Sequence, residues 1–237
     1  MLIKEGDERT VAVDVRLASI LAGVAGAVNA AGFHAIGYYS ANMTGNVSAL
    51  SDYIASGNFR LALLYGGIVI AFISGAWASS LMINYGRRRK AKAVYAYSVL
   101  TEGTLLALFG LADLWLPGIH RSVVLIIGLS FLMGLQNASA TRISNARVRT
   151  THVSGMATDV GIELATLFDI KRGVEPEEDW PANRSRLRLH TTTILAFVFG
   201  GIAGVLLYGY IAGAMLVGAG ILLVSIAVPE IHKTRRR

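Results

Sequence analysis

The chain has 237 residues, of which 54% are hydrophobic and 16% charged, and its mean hydropathy is +0.53. An ordinary soluble domain is about a quarter charged, so this composition excludes one and describes a membrane protein. The net charge of +7 comes largely from short cationic runs beside apolar stretches, Arg87-Arg88-Arg89-Lys90 and Lys233 with Arg235-Arg236-Arg237, which is a topology signature and speaks against nucleic acid as a partner.

The absence of cysteine rules out disulfides, thiolate metal sites and cysteine nucleophiles. The first residues, M-L-I-K-E-G-D-E-R-T-V-A-V-D-V-R, mix both charge signs where a secretory signal would be cationic, so the first apolar run is expected to stay as a helix. That run, residues 17–33, is uncharged and near the ~20 residues that cross hydrocarbon. Gly23, Gly26 and Ala30 share one of its faces and predict a close helix contact.

Residues 29–46, N-A-A-G-F-H-A-I-G-Y-Y-S-A-N-M-T-G-N, then turn polar and glycine-rich where a simple span would end. The following segment, about 44–56, rises only ~20 Å as a helix and carries Ser48, Ser51 and Asp52, too short and too polar to cross. Residues 61–83 form the next span, stopped by the Arg87 cluster. Residues 93–112 form another, with Glu102 near its centre. The stretch 113–118, D-L-W-L-P-G, predicts an interfacial turn.

Residues 123–140 span again and end in Gln136-Asn137. After Arg142, Arg147 and Arg149 a second short segment covers about 152–168, opening on Thr151-His152-Val153-Ser154-Gly155-Met156. Residues 169–190 hold five acids, five Lys or Arg and two prolines and predict an aqueous loop. The charge-free run 191–228 is about two spans long, with a hairpin at 208–213.

Eight crossings would put the Arg87 and C-terminal clusters on opposite sides. If neither short segment crosses, both termini and the arginine-rich loops share the cytoplasmic side. The predicted fold is therefore all-α, a polytopic membrane protein with six transmembrane helices and two short partial helices. Each half then reads span, motif, partial helix, span, span, and three crossings per half make the halves inverted. One membrane domain is expected over 1–237, with halves at about 11–112 and 121–229.

Intramembrane polar residues mark the candidate site, since each is costly in lipid. Asn29, Asn42, Thr44 and Asn46 in the first motif, and Gln136, Asn137, His152 and Ser154 in the second, offer amides, hydroxyls and an imidazole to a solute. Asn42, Thr44, Thr151 and Ser154 equally suit helix caps, and a capped N-terminus also favours anions. His152, Asp159, Glu163 and Thr166 fall on one helical face, where the acids could relay protons or bind a cation, or instead lie along the inner headgroup region, in water or paired with Arg147 and Arg149. Glu102 has to leave the lipid, so it is expected to face the bundle, either protonated or partnered. No spacing for zinc, nucleotide phosphate or a serine-hydrolase elbow occurs.

The series Val28-Asn29-Ala30-x-Gly32-Phe33, Met43-Thr44-Gly45-Asn46, Gly134-Leu135-Gln136-Asn137-Ala138 and Thr151-His152-Val153-Ser154-Gly155 resembles the YoaK family of bacterial membrane proteins, a domain of unknown function. The likeness runs from Leu17 to Val228, with Met-Thr-Gly-Asn its most specific element; where the family pattern favours Thr-Gly, this chain has Ser154-Gly155. The resemblance implies a bacterial inner-membrane protein without an assigned activity.

The function expected from these observations is passage of a small solute, as transporter or channel, at the interface of two inverted repeats. Glu102, Asp159 and Glu163 are the candidates for proton coupling. The lipid bilayer and an unidentified solute are the expected partners, with room for a homo-oligomer; no cofactor, metal or catalytic residue is expected. The alternatives are an intramembrane enzyme, with lipid as one substrate class and His152, Asp159 and Glu163 for acid-base or metal chemistry, and a non-catalytic partner of a membrane complex docking through residues 169–190.

Overall fold

The computed structural model describes residues 1–3, 5–6 and 9–235, without the side chain of Arg235; Arg236 and Arg237 of the C-terminal cationic cluster lie outside the described residues. Among the described residues there are eight α-helices and no strand: α1 Val11–Ile36, α2 Met43–Ala55, α3 Phe59–Arg88, α4 Val94–Trp115, α5 Gly118–Ile143, α6 Val153–Lys171, α7 Trp180–Ile211 and α8 Ala214–Arg235. Six of them, all but α2 and α6, are long and apolar enough to span a membrane. The 13 residues of α2 rise about 20 Å, well short of a ~30 Å hydrocarbon core.

Glycine decides how the spans pair. A Cβ on Gly26 would strike the Phe197 carbonyl, one on Gly200 the Gly23 carbonyl, and one on Gly204 the backbone of Ala27. Gly23 meets Gly200 and Ala27 meets Gly204, so α1 and α7 run parallel. The same seam joins α3 to α5: Gly75 abuts the Phe131 carbonyl and Gly134 the Phe72 carbonyl, with Gly67 against Ile127. In α4 and α8, Gly103 faces Gly220 and Gly110 faces Gly213, which makes that pair antiparallel. Small residues let backbones approach this closely, the usual basis of helix association in lipid.

These directions fix the number of crossings. Were α2 and α6 both to cross, α4 and α8 would run the same way; were one alone to cross, α1 and α7 would oppose each other. Parallel α1 and α7 together with antiparallel α4 and α8 require that neither short helix crosses.

Charged residues gather at the two ends of the bundle. At one end, Arg87 at the close of α3 bonds Glu5 at 2.6 Å and the Tyr95 hydroxyl at 2.7 Å. Asp14 there takes Arg9 at 2.5 Å and Arg147 at 3.0 Å. At the other end Asp113, Arg121 and Tyr208 form a closed ring of three contacts, at 2.6, 2.7 and 2.6 Å.

Two expected boundaries are corrected. Asp113 is not in a turn: α4 continues to Trp115, and Asp113 is buried because Arg121 and the Tyr208 hydroxyl satisfy its carboxylate. The aqueous loop at 169–190 is also mostly helical. Pro181 sits at the start of α7, behind Glu177, Glu178 and Asp179, a proline and acids where a helix N-terminus favours both. The 32 residues of α7 rise about 48 Å, so its first turns extend beyond a hydrocarbon slab. Asn183, buried in those turns, donates to the Glu163 carbonyl at 2.8 Å and fastens α7 to α6.

Candidate functional site

The first wall of the site is set by the return from α1 into α2. Gly37 closes α1 in the left-handed region, φ 78°, and its N–H donates to the Phe33 carbonyl at 2.8 Å. The chain then doubles back, held by two buried amides: Asn29 Oδ1 accepts the Ala41 N–H at 2.8 Å, and Asn46 Nδ2 donates to the Tyr39 carbonyl at 3.1 Å. Asn42 caps α2 by accepting the Gly45 N–H at 3.2 Å, and its amide fills the space where Gly45 would carry a Cβ.

The second wall is built from the end of α5. Asn137 Nδ2 donates to the Met133 carbonyl at 2.9 Å and to Thr151 Oγ1 at 2.6 Å. Thr150 donates to Gln136 Oε1 at 3.1 Å. His152 holds the N-cap position of α6 without a side-chain cap bond, and its ring lies over Gly155. The first turns of α2 and α6 thereby open onto one cavity of about 840 Å³, flanked by Phe72 of α3 and Phe197 of α7.

Of the residues expected to meet solute, Asn29, Asn42, Thr44, Asn137, His152 and Ser154 line this cavity. Asn46 and Gln136 do not; both are buried behind the wall, Asn46 on the Tyr39 carbonyl and Gln136 between Glu102 and Thr150. Glu102 is 1% exposed, accepts Gln136 Nε2 at 2.8 Å, and keeps its second oxygen buried without a hydrogen-bond partner. Glu102, Gln136 and Thr150 thus form a hydrogen-bonded line out of mid-span, and the single Thr150 hydroxyl proton is shared between Gln136 Oε1 at 3.1 Å and Asn137 Oδ1 at 3.4 Å on the cavity wall.

Asp159 and Glu163 are apart from His152. They face His190 of α7, whose Nδ1 is 2.9 Å from Glu163 and whose Nε2 is 4.0 Å from Asp159. The alternative of pairing with Arg147 and Arg149 is not the arrangement among the described residues: Arg147 reaches Asp14, and Arg149 lies 3.4 Å from the His152 ring. The α6 helix is outside the six spans; burial there holds the Glu163 carboxyl above the ordinary carboxylate range, with His190 acting against the rise.

Arg149 and Thr151 line the cavity and His190 faces the two acids, yet none was a sequence candidate. Thr151 could have been found from its place beside His152 in the second motif. His190 offered no such signal, standing at the end of a stretch that reads as loop.

The family described as Protein of unknown function (DUF1275) matches residues 17–228. The UPF0700 transmembrane protein YoaK of Bacillus subtilis (strain 168) is 25% identical over 142 residues, which are 59% of this chain and 62% of that protein. The matched stretch spans less than two thirds of the relative's length. No solved structure matches the chain.

Proposed function

The chain belongs to the family Protein of unknown function (DUF1275), and we propose that this multi-pass membrane protein moves a small solute across the bilayer through the cavity between α2 and α6. The observation that carries the reading is that both short, non-crossing helices open onto the same cavity with their first residues. Broken or partial helices meeting at mid-membrane are how secondary transporters and channels expose backbone to solute, and irregular backbone is tolerated there where it lines a wet space.

Two inverted halves, at about 11–112 and 121–229 of a single domain, account for the packing. Gly26 and Gly134 are 108 residues apart, as are Gly23 and Phe131; Phe72 and Phe197 are 125 apart, as are Gly75 and Gly200. Those residues are the seams of α1 with α7 and of α3 with α5. In this reading Asn29, Asn42, Thr44, Asn137, His152 and Ser154 touch solute, and Asn46 and Gln136 hold the walls. Glu102 is the coupling acid, with Asp159 and Glu163 in reserve beside His190. The membrane is the bacterial inner membrane, with both termini cytoplasmic.

The test is flux. Purified protein in phosphatidylethanolamine and phosphatidylglycerol vesicles should pass at least one small solute faster than protein-free vesicles, and Ser154→Trp, which puts an indole on the cavity wall beside His152, should slow or stop it. Flux that is indifferent to the tryptophan, or absent across inorganic ions, amino acids, small acids and polyols, would sink the reading.

A further inference from the structure

We propose that the solute taken by this cavity is a small anion, an oxyanion or short carboxylate; the inference rests on the transporter reading only for treating the cavity as a binding site. Arg149 is the formally charged side chain on the cavity wall, next to His152, and no carboxylate lines it among the described residues. A cation would be left without an acid to face, whereas an anion meets a guanidinium.

The uncharged groups agree. Asn29 is 7% exposed and lines the cavity. Its Oδ1 takes the Ala41 N–H, which fixes the orientation of the amide and leaves the NH₂ on the other side with no acceptor among the described hydrogen bonds. That NH₂ is a donor at the cavity edge, held in place by the amide's other end and free to meet an acceptor in the guest. Thr151 Oγ1 already accepts from Asn137, so its own proton is available to donate into the same space.

The backbone adds to this. The first intrahelical bond of α6 runs from the Met156 N–H to the His152 carbonyl, and the N-cap supplies no side-chain acceptor for the amides before it. Val153 and Ser154, in that first turn, line the cavity, and the N-terminus of α2 opens from the opposite side. Amide hydrogens from the uncapped first turn of α6, the Asn29 NH₂, the Thr151 hydroxyl and Arg149 make a wall of donors, while α2, whose Met43, Gly45 and Asn46 N–H groups are already bonded, adds the positive end of its dipole.

Isothermal titration calorimetry of the purified chain tests this with sodium nitrate, sodium formate and sodium phosphate, and with glycerol and choline chloride as neutral and cationic controls. Saturable binding is expected for at least one of the three anions and for neither control. Ser154→Asp places a negative charge in the first turn of α6, which the helix itself favours, so the variant stays folded while the anion binds about tenfold or more weakly. Arg149→Gln, an exposed change, should weaken it in the same sense.

Unchanged affinity in Ser154→Asp, or binding of glycerol or choline in place of the anions, overturns the inference. Anion binding without vesicle flux would keep the site and remove the transporter. Vesicle flux of a neutral or cationic solute with no anion binding would do the reverse.

Discussion

His190 Nδ1 lies 2.9 Å from Glu163 Oε1, so an imidazole from α7 closes over the buried acid of α6. Asp159 and Arg186 complete the charges acting on that carboxyl, Asp159 pushing its titration up and Arg186 pulling it down, while burial is the largest influence and raises it. A carboxyl whose folded-state value is raised favours the fold below its ordinary range, and that contribution is lost as pH climbs through the raised value. Glu163→Gln cannot ionise. Its melting temperature in detergent should therefore fall less than that of the unmodified protein as pH rises from about 4 to about 7. Parallel curves would show that Glu163 titrates alike in the folded and unfolded chain.

The glycine seams make a prediction whose sign separates them from ordinary helix glycines. Alanine is the better helix former by about 1 kcal/mol, so Gly218→Ala, where a Cβ meets nothing within 4 Å, should be neutral or stabilising. Gly26→Ala and Gly134→Ala put a methyl against the Phe197 and Phe72 carbonyls, and each should cost about 1–3 kcal/mol. Similar losses in the pair, measured by thermal unfolding in detergent, are expected of equivalent seams. A loss in one and a gain in the other would break the two-half reading.

Topology is testable because the chain has no cysteine to remove. Cysteines at Arg88 and Arg184 should react with a membrane-impermeant maleimide from the cytoplasmic side, and one at Trp115, which is 82% exposed, from the other. The first two positions lie beyond the hydrocarbon on cationic helix ends, so positive-inside placement puts them together. Opposite sidedness for Arg88 and Arg184 would sink the six-span arrangement.

The spans are legible because hydrocarbon imposes length and apolarity on every crossing, and the two shorter helices because the 13 residues of α2 are too few and the 19 of α6 are too polar. What sequence could not supply was partners. Asp113 reads as a turn residue until Arg121 and Tyr208 are seen to enclose it, and Tyr208 stands ninety-five residues away. Glu163 reads as part of a face with His152 until His190 arrives from α7. Gln136 reads like its neighbour Asn137 in the sequence, but neighbours on a helix point about 100° apart. Asn137 takes the cavity side, and Gln136 turns inward to Glu102 and Thr150. Asn46 is about 200° round the helix from Thr44 and turns to the Tyr39 carbonyl behind the wall.

Glu102 offers the sharpest experiment. Its carboxyl is buried in a span, one oxygen held by Gln136 and the other without a hydrogen-bond partner, and the line through Gln136 and Thr150 ends at Asn137 on the cavity wall. A purely structural acid would need little more than Gln136. If it couples proton movement to solute, its ionisation is the step that matters, and Gln136 is the group that relays its state to the cavity. Glu102→Gln keeps the shape and a hydrogen-bonding oxygen but cannot ionise. The expected variant is folded, inserted and able to bind solute, yet its vesicle flux no longer responds to a pH gradient. Gln136→Leu removes the partner of a buried carboxyl and should lower stability by about 1–3 kcal/mol, read by thermal unfolding. Full gradient-driven flux in Glu102→Gln would leave Glu102 a structural hydrogen-bond acceptor and move the coupling role to Asp159 and Glu163.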